Sequence, residues 1–168
     1  SFRTDVLQLK NELFRVALRI TLNREDAEDV VQETMIRVWN KREQWEQIES
    51  IEAFSLTICR NLALDKMRKT EGQNQSLEEV VYDAPDRSYS SNPEEQAMQQ
   101  DRIRLIRQLI GQLPEKQRSA IQLRDFEGKS YKEIAAIMAI SEEQVKINIF
   151  RARQAIRQKY IETEKYGL

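Results

Sequence analysis

The chain has 168 residues, of which 40% are apolar and 33% charged, and its formal net charge is −1. Its single cysteine and its lack of histidine exclude an internal disulfide, a zinc site of the His/Cys type and any catalysis that needs imidazole. No apolar run approaches membrane-spanning length and no signal peptide stands at the start, so we expect a cytoplasmic protein without a metal or cofactor.

Three helices are expected in the N-terminal part, because apolar residues recur there at spacings of three and four. The first covers about residues 4–21. The second begins after a cap at Asn23 and reaches about Arg42, with acidic residues in its first turn, where the helix dipole favours them. The third begins after Ser50 and ends in a basic stretch. Since glycine is rare and no alternating strand pattern appears, the fold class is predicted to be all-α.

The second helix should have two unlike faces. The expected inward stripe consists of Val31, Met35, Val38 and Trp39, which places Trp39 in the core. The opposite side carries an acidic and polar stripe with one apolar residue, namely Asp29, Gln32, Glu33 and Ile36. Taken by itself, such a stripe is more often a solvated helix face than a binding site.

Charge divides the chain into three segments. Residues 1–70 balance 12 Lys or Arg against 12 Asp or Glu, residues 71–98 hold 1 against 7, and residues 99–168 hold 14 against 9. The polar and acidic stretch 71–92 is therefore predicted to be a flexible linker between two small helical domains. The C-terminal segment, with a net charge of +5, has the local basic character that suits a phosphate-bearing partner.

Two capping boxes lie eleven residues apart near the C-terminal end. Ser130 is followed by Glu133, and Ser141 by Gln144, at the three-residue spacing in which side chain and backbone satisfy each other. The space between them holds about two helical turns and a tight turn, which predicts a helix-turn-helix. With two preceding helices, the C-terminal domain has four. A helix pair that binds only its own core remains the alternative for this segment alone.

Three stretches of sequence together resemble one known family. They are residues 27–39 (AEDVVQETMIRVW), residues 60–68 (RNLALDKMR), and residues 113–118 (LPEKQR), which lead into the helix-turn-helix that residues 149–153 (IFRAR) close. In this order, with a linker between the second and the third, they are similar to bacterial sigma factors of the extracytoplasmic-function (ECF) class, in the sigma-70 family. The resemblance implies a promoter-recognition subunit of RNA polymerase that is not itself an enzyme.

The resemblance also implies domains and partners. It implies a sigma-2 domain of three to four helices over residues 1–70, the linker over 71–92, and a four-helix sigma-4 domain over 93–168. Core RNA polymerase and promoter DNA are the implied partners. An anti-sigma factor, whether or not it is membrane-anchored, is the implied regulator, and no direct membrane insertion is expected.

Expected sites follow from the same resemblance. Polymerase binding is expected at Asp29, Gln32, Glu33 and Ile36. Recognition and melting of the minus-10 promoter element are expected at Asn61, Lys66, Arg68, Lys69 and Ser50. Recognition of the minus-35 element is expected at Gln144, Lys146, Ile147, Asn148, Phe150, Arg151 and Arg153, with DNA backbone contacts from Arg124, Lys129 and Lys132 as well.

Some interpretations stay open. Asp65 is more readily explained by an ion pair with Arg68 than by a base contact, and Trp45 could either stack on a base or fold onto the core. The recognition helix departs from the family pattern at Gln144, and Ala139 stands at a turn position that the family often gives to glycine. A free-standing DNA-binding regulator and a helical adaptor remain alternative functions.

Overall fold

A computed structural model describes residues 2–71 and 92–166. Within those ranges there are seven α-helices and no strand, which confirms the all-α prediction. The helices are α1 (Phe2–Thr21), α2 (Arg24–Asn40), α3 (Ile51–Glu71), α4 (Pro93–Gly111), α5 (Glu115–Ile121), α6 (Tyr131–Met138) and α7 (Glu142–Tyr166). The predicted linker 71–92 lies, except for its two end residues, outside the described residues. No described helix is both long enough and apolar enough to cross a membrane.

The helices begin where the sequence predicts caps. The side chain of Asn23 accepts the backbone N–H of Asp26 at 2.9 Å, and the Ser50 hydroxyl accepts that of Ala53 at 3.1 Å. Asn92 caps α4 in the same way. Each bond satisfies one of the backbone donors that a helix leaves unpaired in its first turn, and such caps typically contribute about 1 kcal/mol.

Trp39 does not lie in the core. The buried residues of α2 are Ala27, Val30, Val31, Thr34 and Val38, whereas Trp39 is 53% exposed, so the prediction that it packs inward is wrong. Because Trp39 directly follows Val38, its side chain points about 100° away from that of Val38 around the helix. It packs instead on Trp45 of the 3₁₀ turn Arg42–Gln47, with the two ring centroids 6.0 Å apart.

Helices α6 and α7 form the predicted helix-turn-helix. Ser130 and Glu133 exchange two hydrogen bonds, the hydroxyl accepting one N–H and the carboxylate the other, both at 3.1 Å. Ser141 and Gln144 form the same reciprocal pair, again at 3.1 Å. Between the helices, Ala139 takes the left-handed conformation with φ 55°, which ends α6 and redirects the chain into α7.

One hydrophobic core runs through both halves of the chain. It joins side chains from the first three helices with side chains from α5, α6 and α7, among them Leu13, Val30, Leu56, Leu123, Ile134 and Ile149. Helix α1 contacts α5, and helix α3 contacts α6. A smaller cluster of Ile110, Leu113, Ile121 and Ala152 lies where α4, α5 and α7 meet. The two predicted domains therefore pack directly against each other.

Replacing Ala139 by glycine should stabilise the protein by about 1 kcal/mol. A left-handed backbone costs a residue with a Cβ atom roughly 1–2 kcal/mol, whereas glycine adopts this conformation freely. Part of the resulting gain in stability is lost because glycine also increases the entropy of the unfolded chain. The free energy of unfolding, measured by urea denaturation of Ala139→Gly and the parent protein, checks this expectation.

Ala136 provides the matched control, because it is an exposed residue inside α6. Ala136→Gly should destabilise the protein by about 0.5–1 kcal/mol, since the same chemical change now falls in a regular helix. Equal effects of the two substitutions would contradict the role assigned to the turn conformation.

Candidate functional site

The residues expected to read the minus-35 element share the N-terminal half of α7. Gln144, Lys146, Ile147, Phe150, Arg151 and Arg153 are exposed, and Asn148 is half-buried. Val145, Ile149 and Ala152 are buried on the opposite side of the helix. Phe150, at 66% exposure, is the most exposed large apolar side chain in the described ranges. The helix thus presents amide, cationic and apolar groups on one outward surface, a combination suited to base edges and thymine methyl groups in a major groove.

Tyr131 supports this surface from α6, a role that the sequence did not indicate. Its ring lies beneath two cations, with the Arg124 guanidinium carbon 4.5 Å and the Lys146 ammonium nitrogen 5.5 Å from the ring centroid. Arg124 also donates to the backbone oxygen of Lys129 at 2.9 Å. These contacts hold two positive charges from different segments next to each other. The sequence shows an excess of basic residues in this part of the chain, but this excess does not identify Tyr131 as the residue that contacts them.

The remaining cations near α7 are in different environments. Arg153 donates two hydrogen bonds to Asp125, at 2.5 and 3.0 Å, and this carboxylate raises the pKa of Arg153. Lys132 is exposed, whereas Lys129 is buried and ion-paired with Glu12 of α1 at 2.9 Å. Of the basic residues considered for DNA backbone contacts, Lys129 is therefore the one that this arrangement withdraws from solvent.

The capping box of α6 also lowers the pKa of the glutamate that belongs to it. The backbone N–H and the hydroxyl of Ser130 both bind the Glu133 carboxylate and lower the pKa of Glu133 below its usual 4.5. Glu133 is ionised at neutral pH, and the capping box is formed at the start of α6, which packs against α7.

The stripe expected to bind polymerase is exposed along its whole length. Asp29, Gln32, Glu33 and Ile36 lie on the outer side of α2, and Ile36 is 49% exposed. Asp29 is 3.5 Å from the ammonium of Lys66 on α3, and Glu33 pairs with Arg37 one turn along α2 at 3.0 Å. Both are exposed ion pairs of small net energy, so a partner's cations can replace them at little cost.

The residues expected at the minus-10 element line α3 and its start. Asn61, Arg68 and Lys69 are exposed, Lys66 is half-buried, and Ser50 caps the helix. Arg68 lies 3.6 Å from Asp65, which confirms the structural interpretation of that carboxylate. Lys66 belongs to this face and also pairs with Asp29 in the stripe expected to bind polymerase, so the two expected sites adjoin.

The two tryptophans form a small group beside these sites. Trp45 is half-buried and donates from its indole nitrogen to the backbone oxygen of Val38 at 2.9 Å. The Arg42 guanidinium lies over the ring of Trp39, 4.7 Å from its centroid. Trp45 therefore folds onto the end of α2, one of the two interpretations that the sequence left open.

Cys59 has a purely structural environment. It is fully buried on α3, its thiol donates to the backbone oxygen of Leu13 at 3.4 Å, and burial raises its pKa to about 12. A thiol in this state is not a nucleophile at neutral pH.

Two protein-family models match the chain. The model for sigma-70 region 2 matches residues 6–73, and the model for sigma-70 region 4 matches residues 103–156. These ranges contain α2 and α3 in the first case, and the helix-turn-helix in the second.

Curated relatives match most of the chain. The ECF RNA polymerase sigma factor SigL of Mycobacterium tuberculosis is 34% identical over 149 residues, which cover 86% of this chain and 80% of that protein. The ECF RNA polymerase sigma factor SigE of Mycolicibacterium smegmatis is 32% identical over 154 residues, which cover 90% of this chain and 58% of the length of that protein.

Two solved structures share the fold. The sigma factor RpoE from Bartonella quintana, in complex with the anti-sigma factor NepR, has a TM-score of 0.73 and 27% identity, with 94% of both chains covered. CnrH, in complex with the cytosolic domain of CnrY, has a TM-score of 0.67, and the match covers 96% of this chain and 88% of the CnrH chain. At 20% identity the second likeness concerns the fold alone.

Replacing Tyr131 by leucine should weaken binding to duplex DNA about three-fold at low salt. The substitution removes the ring that holds Arg124 and Lys146 together, and such cation–π contacts are worth about 0.5–1 kcal/mol at exposed sites. Fluorescence anisotropy with a labelled duplex measures the change. Tyr131→Phe is the matched control because it keeps the ring, and a loss as large as that of Tyr131→Leu would assign the effect to the hydroxyl instead.

Proposed function

Because the chain belongs to the sigma-70 family of RNA polymerase sigma factors, in its ECF class, we propose a division of work between its two helical domains. The chain directs transcription initiation by core RNA polymerase and is not an enzyme. The sigma-2 domain, residues 1–70, binds polymerase and opens the minus-10 element. The sigma-4 domain, residues 93–168, binds the minus-35 element, and residues 71–92 join the two. One observation supports this most directly: α2, α3 and α7 each expose the chemistry that one of these contacts requires.

Polymerase binds the acidic stripe of α2. Asp29 and Glu33 place two carboxylates on an exposed face, and Gln32 lies between them. Complementary cations on a partner helix would steer association and replace the exposed pairs that these carboxylates make in the free chain. Ile36 supplies an exposed apolar side chain at the end of the stripe, which a partner can bury.

The minus-10 element is read and opened on α3. The Asn61 amide offers a donor and an acceptor together, and it is exposed where an unstacked base can reach it. Lys66, Arg68 and Lys69 neutralise nearby phosphates, and Ser50 lies at the entrance of the helix. Capture of a flipped base offsets the unstacking cost of a few kcal/mol, so the duplex opens through binding energy alone.

The minus-35 element is read by α7. Gln144 and Asn148 suit adenine, Lys146 and Arg151 suit guanine or phosphate, and Phe150 suits a thymine methyl group. The Asn148 amide donates one N–H to the backbone oxygen of Gln144 at 2.8 Å, which leaves its second N–H and its carbonyl oxygen for a base. Ile147 and Arg153 complete the surface, the latter while still bound to Asp125.

Regulation by an anti-sigma factor is part of the proposal. The structure of RpoE was determined in complex with the anti-sigma factor NepR, and that relative is 27% identical to this chain. An anti-sigma factor of this chain would cover the exposed surfaces of α2 and α7. The chain would then act in the cytoplasm, where polymerase and promoter DNA are available.

Run-off transcription with purified core polymerase and a promoter library tests the central claim. Asn61→Ala should lower promoter-specific transcript about five-fold or more, since a lost base contact of this kind is worth about 1–3 kcal/mol. Alanine is a better helix former than asparagine, so the variant should remain folded. Gln108→Ala removes an exposed amide from α4 and should leave the transcript unchanged. If the parent protein yields no promoter-specific transcript on any template, the proposed function fails.

Asp29→Arg tests the polymerase contact separately. Reversal of the charge in the acidic stripe should weaken binding to core polymerase by a factor of ten or more, because like charges then face each other across the interface. The dissociation constant for core polymerase, measured without DNA, gives the effect. Glu28→Arg changes the same charge one position along α2, outside the stripe, and should bind almost normally. Normal binding of Asp29→Arg would place the polymerase contact elsewhere.

A further inference from the structure

A short π-helical turn lies between α5 and the helix-turn-helix. It covers Gln122–Phe126, and the backbone N–H of Glu127 donates to the oxygen of Gln122, five positions earlier, at 3.0 Å. A π turn holds one residue more than an α turn, is rare, and occurs frequently at functional sites. The two charged side chains of this turn, Arg124 and Asp125, both contact residues outside it.

The two charged residues of the π turn contact cations at both ends of the exposed surface of α7. Arg124 lies over the ring of Tyr131, whose centroid is also 5.5 Å from the Lys146 ammonium. Asp125 accepts two hydrogen bonds from Arg153, one from Nε at 3.0 Å and one from Nη2 at 2.5 Å. Because Lys146 and Arg153 lie about two helical turns apart, one short segment adjoins α7 at two places, roughly 10 Å apart along its axis.

The pair between Asp125 and Arg153 leaves part of the guanidinium unused. A guanidinium carries five N–H donors in one plane, and this bidentate pair takes two of them. Within residues 2–71 and 92–166, Arg153 makes no other hydrogen bond, and its side chain is 48% exposed. The remaining donors are therefore available to a ligand while the carboxylate holds the guanidinium plane. Phosphate is a ligand that such a fork of donors binds well.

The carboxylate of Asp125 has two opposite effects on a neighbouring phosphate. Its negative charge repels phosphate, and because its side chain is 33% exposed, burial does not remove it from the surface. The same carboxylate holds Arg153 and raises its pKa. A long side chain loses rotational freedom when it binds a ligand, and one that is already held loses less. Repulsion and positioning therefore predict changes of opposite sign when the carboxylate is removed.

We propose that Asp125 is a positioning residue for the minus-35 contact, because it directs the Arg153 guanidinium at a phosphate of the DNA backbone. The inference rests on the proposed function, since it requires α7 to lie against duplex DNA. It also specifies the role of Arg153, which contacts the backbone and reads no base. Residues nearer the start of α7, such as Gln144, then read the bases, while Arg153 fixes the register of the helix on the duplex.

The salt dependence of DNA binding tests this role in the 168-residue chain itself. Each phosphate contact adds about 0.9 to the slope of log affinity against log salt concentration, whatever the sequence of the duplex. Asp125→Asn should therefore reduce the slope by about 0.9 and weaken binding about three-fold at low salt, because Arg153 loses its direction. Fluorescence anisotropy with a labelled duplex of mixed sequence, recorded over a series of salt concentrations, gives both values. A carboxylate that only repels phosphate predicts tighter binding instead.

A double variant shows whether Asp125 acts through Arg153. Arg153→Gln should reduce the slope by the same amount, because it removes the phosphate contact itself. Adding Asp125→Asn to Arg153→Gln should weaken binding no further, since the carboxylate then has no guanidinium to hold. Asp101→Asn is the matched control. It removes an aspartate from an exposed pair with Arg104 on α4, 4.0 Å apart, and should leave both affinity and slope unchanged.

Circular dichroism verifies that each variant keeps its helices, and Asp125→Ala replaces Asp125→Asn if the latter loses them. Tighter binding or an unchanged slope in a folded Asp125 variant would overturn the positioning role, as would an Arg153→Gln with the slope of the parent protein. Loss of helices in both Asp125 variants would assign this residue to the fold and overturn the role as well. A parent protein that binds no duplex at low salt would instead refute the proposed contact of α7 with DNA, and the role of Asp125 with it.

Discussion

Burial of helix α1 is the constraint on which the rest of this fold depends. Its residues Leu13, Val16, Ala17 and Ile20 are almost entirely buried, and the helix contacts α2, α3 and α5. Full burial of an aliphatic side chain of this size contributes roughly 1.5–3 kcal/mol. Because α1 contacts α2 and α3 as well as α5, it completes the core of its own domain and also provides a surface against which the other domain packs.

Charge serves two purposes in this chain, and burial separates them. Exposed pairs such as Asp29 with Lys66 are weak, so the surfaces that carry them can exchange one partner for another. Buried pairs such as Arg60 with Glu115 join residues that are distant in sequence. The near-neutral total charge does not show this difference between exposed and buried ion pairs. The difference is seen only when each ionised group is assigned to the surface or to the interface between the domains.

Local signals made the helices predictable, and also the exposed position of the residues expected to contact DNA and polymerase. In each capping box the two paired residues are only three positions apart in sequence. Helical periodicity was enough to place the expected contact residues on exposed faces. Trp39 was assigned wrongly because periodicity cannot decide between adjacent residues at the edge of a buried stripe. The role of Tyr131 depends on cations brought together only by folding.

The packing of the domains lay beyond the reach of sequence patterns. Arg15 and Glu127 are 112 positions apart, and Arg60 and Glu115 are 55 positions apart, so no short-range regularity marks either pair. A basic residue such as Lys129 looks the same in sequence whether it faces solvent or a neighbouring domain. Its burial becomes evident only from the position of α1, which the capping and periodicity of the C-terminal helices do not determine.

The burial of Cys59 makes this protein well suited to spectroscopy. It is the sole cysteine in the sequence, and a thiol with a pKa of about 12 contributes almost no thiolate at neutral pH. Maleimide dyes or spin labels would therefore react at cysteines introduced on the surface while the native residue stays unmodified. Interdomain distances can be recorded by fluorescence or electron paramagnetic resonance in a chain that retains its natural core.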